Sequence, residues 1–242
     1  MNSVLLTGSN CRHAFYANQI NKVFNLCGIV VEKKRDQVSS TNKTHFTIEH
    51  QNNREAYEKK YFGDFSFDSL KVDKMKIKSG NINSLNVFDW ICSKSPNIIF
   101  VYGTSIIKDP LLNLYKNRII NLHLGLSPYY KGSATNIWPI VNKQPECIGA
   151  TFHIINEKVD AGPIIHQYRP ILKKTDTIHD IGNKTIRDSE KEIMKLYHFI
   201  KNEQAAHPQD NNIKSYVYKK NDFNEKSLKT AYKNLRKKLI GI

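Results

Sequence analysis

The chain is poor in cysteine. Its 242 residues hold four, Cys11, Cys27, Cys92 and Cys147, so widely separated that no Cys-x-x-Cys pair occurs. That spacing argues against a zinc site or a disulfide framework and fits reduced, buried thiols. No run approaches the ~20 apolar residues of a membrane span, and residues 1–10 lack the regions of a signal peptide, so a cytoplasmic protein is expected. There is no internal repeat or low-complexity tract, and the turn around Gly8 lacks the second and third glycines of a dinucleotide fingerprint. Acidic residues are scarce as well: 22 Asp and Glu face 37 Lys and Arg, a formal net charge of +15. Such a charge suits phosphate-bearing partners. The basic residues are nevertheless spread through the chain, as in Lys33-Lys34-Arg35, Lys59-Lys60, Lys173-Lys174 and Lys219-Lys220. A solvated basic surface that helps to draw in small anions accounts for them.

What the chain does have is alternation. Apolar strand patterns at 3–7, 28–31, 97–102 and 119–123 alternate with helical patterns at 14–26, 83–95 and 110–115, and an irregular polar stretch is expected at 33–78. Further strands are expected at 149–155 and 163–171, then a long helix over 177–201 capped by Thr175 or Asp176. Alternating strands and helices imply parallel βαβ units, hence an α/β fold with a Rossmann-like open, mostly parallel sheet and helices on both faces. The catalytic core is expected to span 1–204. The polar patch 205–212 then leads into a short C-terminal appendage over 205–242, with a strand at 213–218 and a helix at 225–239.

Within Arg118-Ile119-Ile120-Asn121-Leu122-His123, Asn121 and His123 lie two apart on a strand and project from one face. An amide beside an imidazole suits a carbonyl oxygen that becomes negative, and a nearby carboxylate holds the imidazole charged or accepts a proton. Asp160, in Val159-Asp160-Ala161-Gly162-Pro163, supplies that carboxylate, and the three read as one acyl-transfer site. The bare trio also fits polar groups of a core or a surface. The turn Gly8-Ser9-Asn10-Cys11-Arg12-His13 between strand and helix is open to two readings, a phosphate cradle of backbone amides or a plain turn with Ser9 or Asn10 as N-cap. Tyr129 and Tyr130, just past the active strand, are candidates for contact with a substrate. Core packing is the expectation for Trp138, and satisfied structural roles are expected for His153, His166 and His179.

The stretches Asn121 to Ile140 and Gly149 to Gln167 resemble the folate-dependent formyltransferases, which include glycinamide ribonucleotide transformylase, methionyl-tRNA formyltransferase and the sugar N-formyltransferases of O-antigen synthesis. The shared pattern is Asn-x-His, a Pro-containing loop ending in Gly, then Asp before Gly-Pro. Asn121, His123, Pro128, Gly132, Asp160, Gly162 and Pro163 fall on it. The loop departs from it, Leu126-Ser127-Pro128 standing where Leu-Leu-Pro is commoner, and this bears on acceptor contacts.

The resemblance implies Asn121, His123 and Asp160 as catalytic residues and 10-formyltetrahydrofolate as cosubstrate, with no metal. It places the folate between the loop Tyr102, Gly103, Thr104, Ser105 and Ile106 and an opposite wall of Ile155, Asn156 and Val159. It assigns Gly8, Ser9, Asn10, Arg12 and His13 to substrate phosphate, joined by Tyr129 and Tyr130. The acceptor it implies is a nucleotide-linked amino sugar, with dTDP-4-amino-4,6-dideoxyglucose nearest in overall likeness. About 37 residues follow Ala205, too few for the five-stranded barrel of the tRNA-acting relatives. Methionyl-tRNA stays as an alternative acceptor, and a basic nucleic-acid-binding protein on an idle scaffold as an alternative of another class. No stable nucleic-acid complex and no membrane association are expected, and the tail is expected to build a homodimer.

Overall fold

Residues 1–33 and 44–237 are described by the structure, a computed structural model. The first half alternates β1 (Asn2–Gly8), α1 (Cys11–Val23), β2 (Asn25–Glu32), α2 (His45–Phe62), β3 (Asp73–Ile77), α3 (Leu85–Ser93), β4 (Ile98–Tyr102) and α4 (Leu111–Leu114). The second half runs β5 (Ile119–His123), β6 (Tyr130–Gly132), α5 (Trp138–Val141), β7 (Ala150–Ile154), β8 (Ile164–Tyr168), α6 (Ile178–Lys201), β9 (Tyr216–Tyr218) and α7 (Glu225–Arg236). Seven strands form one sheet in the order β3-β2-β1-β4-β5-β7-β8. The first five are parallel, whereas β7 runs antiparallel to β5 and β8 antiparallel to β7.

The period of two explains why these runs are apolar throughout. Leu5, Ile29, Val31 and Phe100 pack on one face with Phe15, Tyr16 and Ile20 of α1 and Ile186, Ile193 and Leu196 of α6. Their neighbours Val4, Leu6, Val30, Ile99 and Val101 pack on the other with Val87 and Ile91 of α3 and Leu111 of α4. A strand covered on both faces needs apolar residues at every position, so the pattern is continuous rather than alternating.

Three elements depart from expectation. The span 33–78, read as irregular, contains α2 and β3, while its residues 34–43, including Lys34 and Arg35, lie outside the described residues. Helix α2 is polar on almost every side and buries only Thr47, His50, Glu58 and Phe62, so it carries no apolar stripe. Its start is set locally, Thr44 Oγ1 accepting from Thr47 N at 3.3 Å and Thr47 Oγ1 from Thr44 N at 2.9 Å. Strand β3 is an edge strand with no buried residue. The N-cap of α6 is Thr177, not Thr175 or Asp176: Thr177 Oγ1 accepts from Asp180 N at 3.1 Å, whereas Asp176 takes Lys184 Nζ at 2.6 Å.

The C-terminal segment packs on the core as a third layer. Tyr130, Trp138 and Ile181 form a buried cluster with Phe223, Leu228 and Ala231. Strand β9 pairs in parallel with β6. The Trp138 and Tyr218 rings stack at 3.8 Å with 4° between planes, and the indole N–H donates to Ser133 O at 3.0 Å, so Trp138 is a core residue. Gly132 is required at this seam, since at its φ of 91° a Cβ would lie 2.1 Å from Tyr218 O. The expected end of the last helix, Leu239, lies outside the described residues, and α7 closes at Arg236. Among the described residues no helix is long and apolar enough to cross a membrane.

Candidate active site

Chain order reverses between β1 and its neighbour β4, and a crevice beyond the carboxyl ends of strands is expected at such a point in an open α/β sheet. Asn121 and His123 sit at that end of β5. Because β7 is antiparallel to β5, Asn121 stands opposite His153 and His123 opposite Thr151. Directly opposed residues share a face of the sheet, which brings His153 into the group. Asn121 Nδ2 lies 3.1 Å from His153 Nε2 and 3.4 Å from Asp160 Oδ1.

Asp160 is the centre of this group. Its Oδ2 accepts from Gly132 N at 2.8 Å and faces His123 Nδ1 at 3.3 Å, and its Oδ1 faces His153 Nε2 at 3.4 Å. The residue has a φ of 48°, a left-handed conformation uncommon outside glycine. Gln209, from the C-terminal segment, holds it there by donating from Nε2 to Asp160 O at 2.9 Å and Gly162 O at 2.8 Å. Burial alone would raise the Asp160 pKa, but the two imidazoles and the Gly132 amide outweigh it and hold the carboxyl well below the usual carboxylate range. The His123 pKa is lowered as well, burial outweighing the opposing pull of Asp160. Its Nε2 lies 2.8 Å from Tyr130 O and so donates there. With Nε2–H on a carbonyl and Nδ1 facing a carboxylate, both ring nitrogens are satisfied together only when the ring is protonated.

The remaining expected residues divide by what their side chains touch. In the turn, Gly8 is buried, Ser9 exposed and Asn10 half-buried at the N-cap of α1. The structure corrects two expectations of direct contact there. Arg12 is buried and paired with Glu58, which also takes Arg54 Nε at 3.0 Å, so its guanidinium is committed inside the protein. Two guanidiniums around one carboxylate leave a net positive charge behind the turn. His13 is buried too, its Nδ1 accepting from Asn10 N at 3.0 Å. Tyr129 is exposed, but Tyr130 is fully buried, stacked on Tyr216 at 5.3 Å with its hydroxyl on Gln144 and Asn142, and so is a core residue.

On the expected folate loop the Tyr102 ring is buried against Tyr16 and His13, which leaves only its backbone for a ligand. Gly103 has a φ of 73°, and a Cβ there would lie 2.6 Å from His13 Nε2, so glycine lets this loop close on the first turn. Thr104 bonds to Ser105 O at 2.9 Å. Ser105 is fixed by buried Glu32, which accepts from its N at 2.7 Å and its Oγ at 2.8 Å, and from Gly80 N at 2.6 Å. Asn83 braces the same loop, donating to Ile106 O at 2.9 Å. Ile106 and Val159 are exposed, Asn156 Oδ1 accepts from Lys158 N at 3.0 Å, and Ile155 N reaches Ile119 O at 2.8 Å. His166 and His179 have local partners, Glu192 at 2.6 Å and Tyr232 at 3.2 Å. Sequence reasoning missed His153, Glu32 and Gln209. The signal for His153 is its place two residues after Thr151 on a strand, legible only once β7 is known to pair antiparallel with β5. Among the described residues no group of three or more His, Cys, Asp or Glu side chains is arranged to hold a metal ion.

A sheet of this order, with Asn121, His123 and Asp160 gathered at its switch-point end, defines a class, and comparison with known proteins gives the class its name. Residues 29–197 match the family model described as formyl transferase, and the chain belongs to that family. One curated relative, the bifunctional polymyxin resistance protein ArnA of Wigglesworthia glossinidia brevipalpis, is 32% identical over 130 residues. Those cover 53% of this chain but only 20% of that protein, so the chain spans about a fifth of the relative's length. Among solved structures, an N-formyltransferase from Helicobacter canadensis, in complex with folinic acid and dTDP-3-aminofucose, matches all of this chain and 81% of its own at a TM-score of 0.61 and 21% identity. The formyltransferase PseJ from Anoxybacillus kamchatkensis, in complex with UDP-4,6-dideoxy-4-formamido-L-AltNAc and tetrahydrofolate, matches 99% of this chain and 98% of its own at 0.57 and 20%. Phosphoribosylglycinamide formyltransferase from Anaplasma phagocytophilum matches 90% and 98% at 0.60 and 14%. At these identities the structural likenesses establish the fold.

Proposed function

We propose that the protein transfers a formyl group from 10-formyltetrahydrofolate to the amine of a nucleotide-linked amino sugar. The observation that carries the reading is the Asp160 carboxylate bracketed by Asn121, His123 and His153 at the switch-point end of a formyl transferase sheet. Attack of a neutral amine on the formyl carbon moves the C=O pair onto oxygen, and return of that pair expels the folate nitrogen. Asn121 supplies the donor for the developing oxyanion, since its 3.4 Å contact to Asp160 is long and readily exchanged. Such a donor contributes roughly 2.7–4 kcal/mol in the transition state. The proton lost by the amine passes to the His123–Asp160 pair, where a protonated ring is held by Tyr130 O and the carboxylate, and from there to the departing nitrogen. Positioned proton transfer of this kind contributes about 10²–10⁴ in rate.

A nucleotide-linked acceptor is supported by the turn of exposed Ser9 and half-buried Asn10 at the start of α1, with the net positive Arg12–Glu58–Arg54 group behind it. The solved relatives named above with nucleotide-linked sugars support the same class, and dTDP-4-amino-4,6-dideoxyglucose is the acceptor we put first. A homodimer is part of the proposal and is read by light scattering. The decisive experiment is mass spectrometry of purified protein with 10-formyltetrahydrofolate and a panel of dTDP-, UDP- and GDP-linked amino sugars, with charged initiator tRNA alongside. A formyl gain on one sugar nucleotide, lost in Asn121→Ala, is expected. Formylation of the tRNA alone would overturn the acceptor class, and no gain on any acceptor would overturn the activity.

A further inference from the structure

A hollow lies between α2 and α7 and shares no residue with the Asn121, His123, His153 and Asp160 group. It encloses about 430 Å³, within the range of small-molecule sites. Its apolar wall is aromatic: Phe46 and Tyr232 meet edge to face at 5.6 Å, and His50 stands edge-on to Tyr232 at 5.9 Å. The rim is basic. Lys229, Lys233, Arg236 and Lys237 line it, and Lys226 joins Lys229 and Lys233 around an adjoining shallower hollow.

Lys229 and Lys233 on α7 and Lys237 at its C-cap recur every four residues along one flank of the helix. Two carboxylates, Glu49 and Glu225, are the acidic groups lining the two hollows against five cations. Glu225 is already taken by Lys229 Nζ at 2.6 Å, which also lies 5.5 Å from the centre of the Phe46 ring. Behind the wall, His179 and Arg54 face His50 from within, and Arg54 is itself paired with Glu58 at 3.0 Å. The Leu228 and Ala231 side of α7 is spent on the core, so the cations occupy the flank that the core does not use.

An aromatic wall under a multiply cationic rim is the chemistry that receives a base and a chain of phosphates together. We infer that the hollow between α2 and α7 is a binding site for a nucleoside polyphosphate, with the base against Phe46 and Tyr232 and the phosphates among Lys233, Arg236 and Lys237. The site does not rest on the catalytic reading above.

The test is calorimetric titration of the full chain with ATP and, separately, with inorganic triphosphate, followed by mass-spectrometric mapping of the cross-link formed by a photoreactive ATP. The cross-link is expected on α2 or α7. The exposed charge reversals Lys233→Glu and Arg236→Glu together should weaken ATP at least tenfold with the melting temperature unchanged, and Lys237→Glu alone should weaken it less. Phe46→Ala should weaken ATP and leave triphosphate unchanged. ATP binding indifferent to every charge reversal, or a cross-link confined to the crevice at β1 and β5, overturns the site. Phe46→Ala without effect on ATP overturns the nucleoside, and an RNA oligomer that displaces ATP at far lower concentration overturns the small-ligand assignment in favour of nucleic acid.

Discussion

The protein buries two pairs of histidines, and they live in opposite surroundings. His123 and His153, with ring centres 6.3 Å apart, flank the Asp160 carboxylate. His50 and His179, 4.7 Å apart, share the hydroxyl of Tyr232, which lies 3.0 Å from His50 Nδ1 and 3.2 Å from His179 Nε2. Burial lowers the pKa of His123, His50 and His179 alike. At His123 the carboxylate pulls back, His50 falls to about 3 with His179 and Arg54 adding to the effect, and His179 falls to about 4 because burial and Arg54 outweigh the pull of Asp180 and Glu58. The carboxylate beside His123 gives a protonated ring a partner, and the phenol between His50 and His179 makes that pair a hydrogen-bonded strut between α2, α6 and α7. Residue type and burial do not separate the two pairs; the group that each pair contacts directly does.

The strongest way to break the comparison is to remove that group where it is charged. Asp160→Asn keeps the shape but cannot hold an imidazolium, and formyl transfer is expected to fall about 10²–10⁴-fold, or roughly 3–5 kcal/mol of activation free energy. Single-turnover kinetics by mass spectrometry decides it. A variant that folds and turns over within a few-fold of the parent would leave Asp160 with a structural role only.

Acid should separate the pairs next. The folded-state pKa values of His50 and His179 lie below the unfolded value of about 6.5, so the unfolded chain binds protons that the folded chain does not. Their contribution to stability is complete above about pH 6.5 and is lost as pH falls towards 4 and 3. The loss is on the order of a few kcal/mol once partial solvent access is allowed for. Asp160 is depressed in the carboxylate sense, so its contribution persists down to the ordinary carboxylate range near 4 and goes only below it. Urea unfolding at pH 7.5 and 4.5 should show the drop, and the double variant His50→Gln, His179→Gln should lose most of it. Equal slopes in parent and variant would remove these histidines as its source.

The asymmetry in what the sequence discloses has the same physical root. Strand β5 was expected at 119–123 and lies there, because continuous apolar runs flanked by turns report strands buried on both faces. Asn121 and His123 share a face through nothing more than the two-residue period. His153 depends on long-range register, since its partner is fixed by the antiparallel pairing of β5 with β7, and no local pattern carries that information. Gln209 depends on a tail folding back across 49 residues to reach Asp160. Helix α2 was hidden for a different reason: its inner face carries Thr47, His50 and Glu58 rather than an apolar stripe, so the polar strut and the Arg12 ion pair that place it look like surface chemistry in sequence. The polar inner groups of this fold are thus the ones the sequence conceals.

A smaller effect probes the neutral pair. Tyr232→Phe removes the hydroxyl between two buried imidazoles and leaves His50 Nδ1 and His179 Nε2 without it, a loss of about 1–3 kcal/mol. For a chain of this size that corresponds to roughly 2–4 °C of melting temperature per kcal/mol. Calorimetry checks it, with turnover expected to be unchanged because neither imidazole touches the Asp160 group. A drop in turnover without a drop in melting temperature would show that the two pairs communicate.

The smallest expected effect bears on how the charged pair is held. Gln209 touches neither His123 nor His153, yet its Nε2 bonds the carbonyls on both sides of Ala161, and Asp160 keeps a left-handed φ of 48° between these bonds and that from Gly132. Replacement by Leu removes the donor to Gly162 O and leaves Asp160 O only the 3.4 Å bond from Ser127 Oγ, so the loop relaxes towards an ordinary conformation and the carboxylate moves away from His123 Nδ1. We expect kcat to fall about tenfold, equivalent to roughly 1.4 kcal/mol, with KM for folate and acceptor little changed. Because a retreating carboxylate no longer pulls the His123 pKa upward, the acid limb of the kcat profile should also move to lower pH. A purely structural role for Gln209 predicts a lower melting temperature with that limb in place, so the pH profile of Gln209→Leu separates a residue that positions Asp160 from one that merely packs the tail.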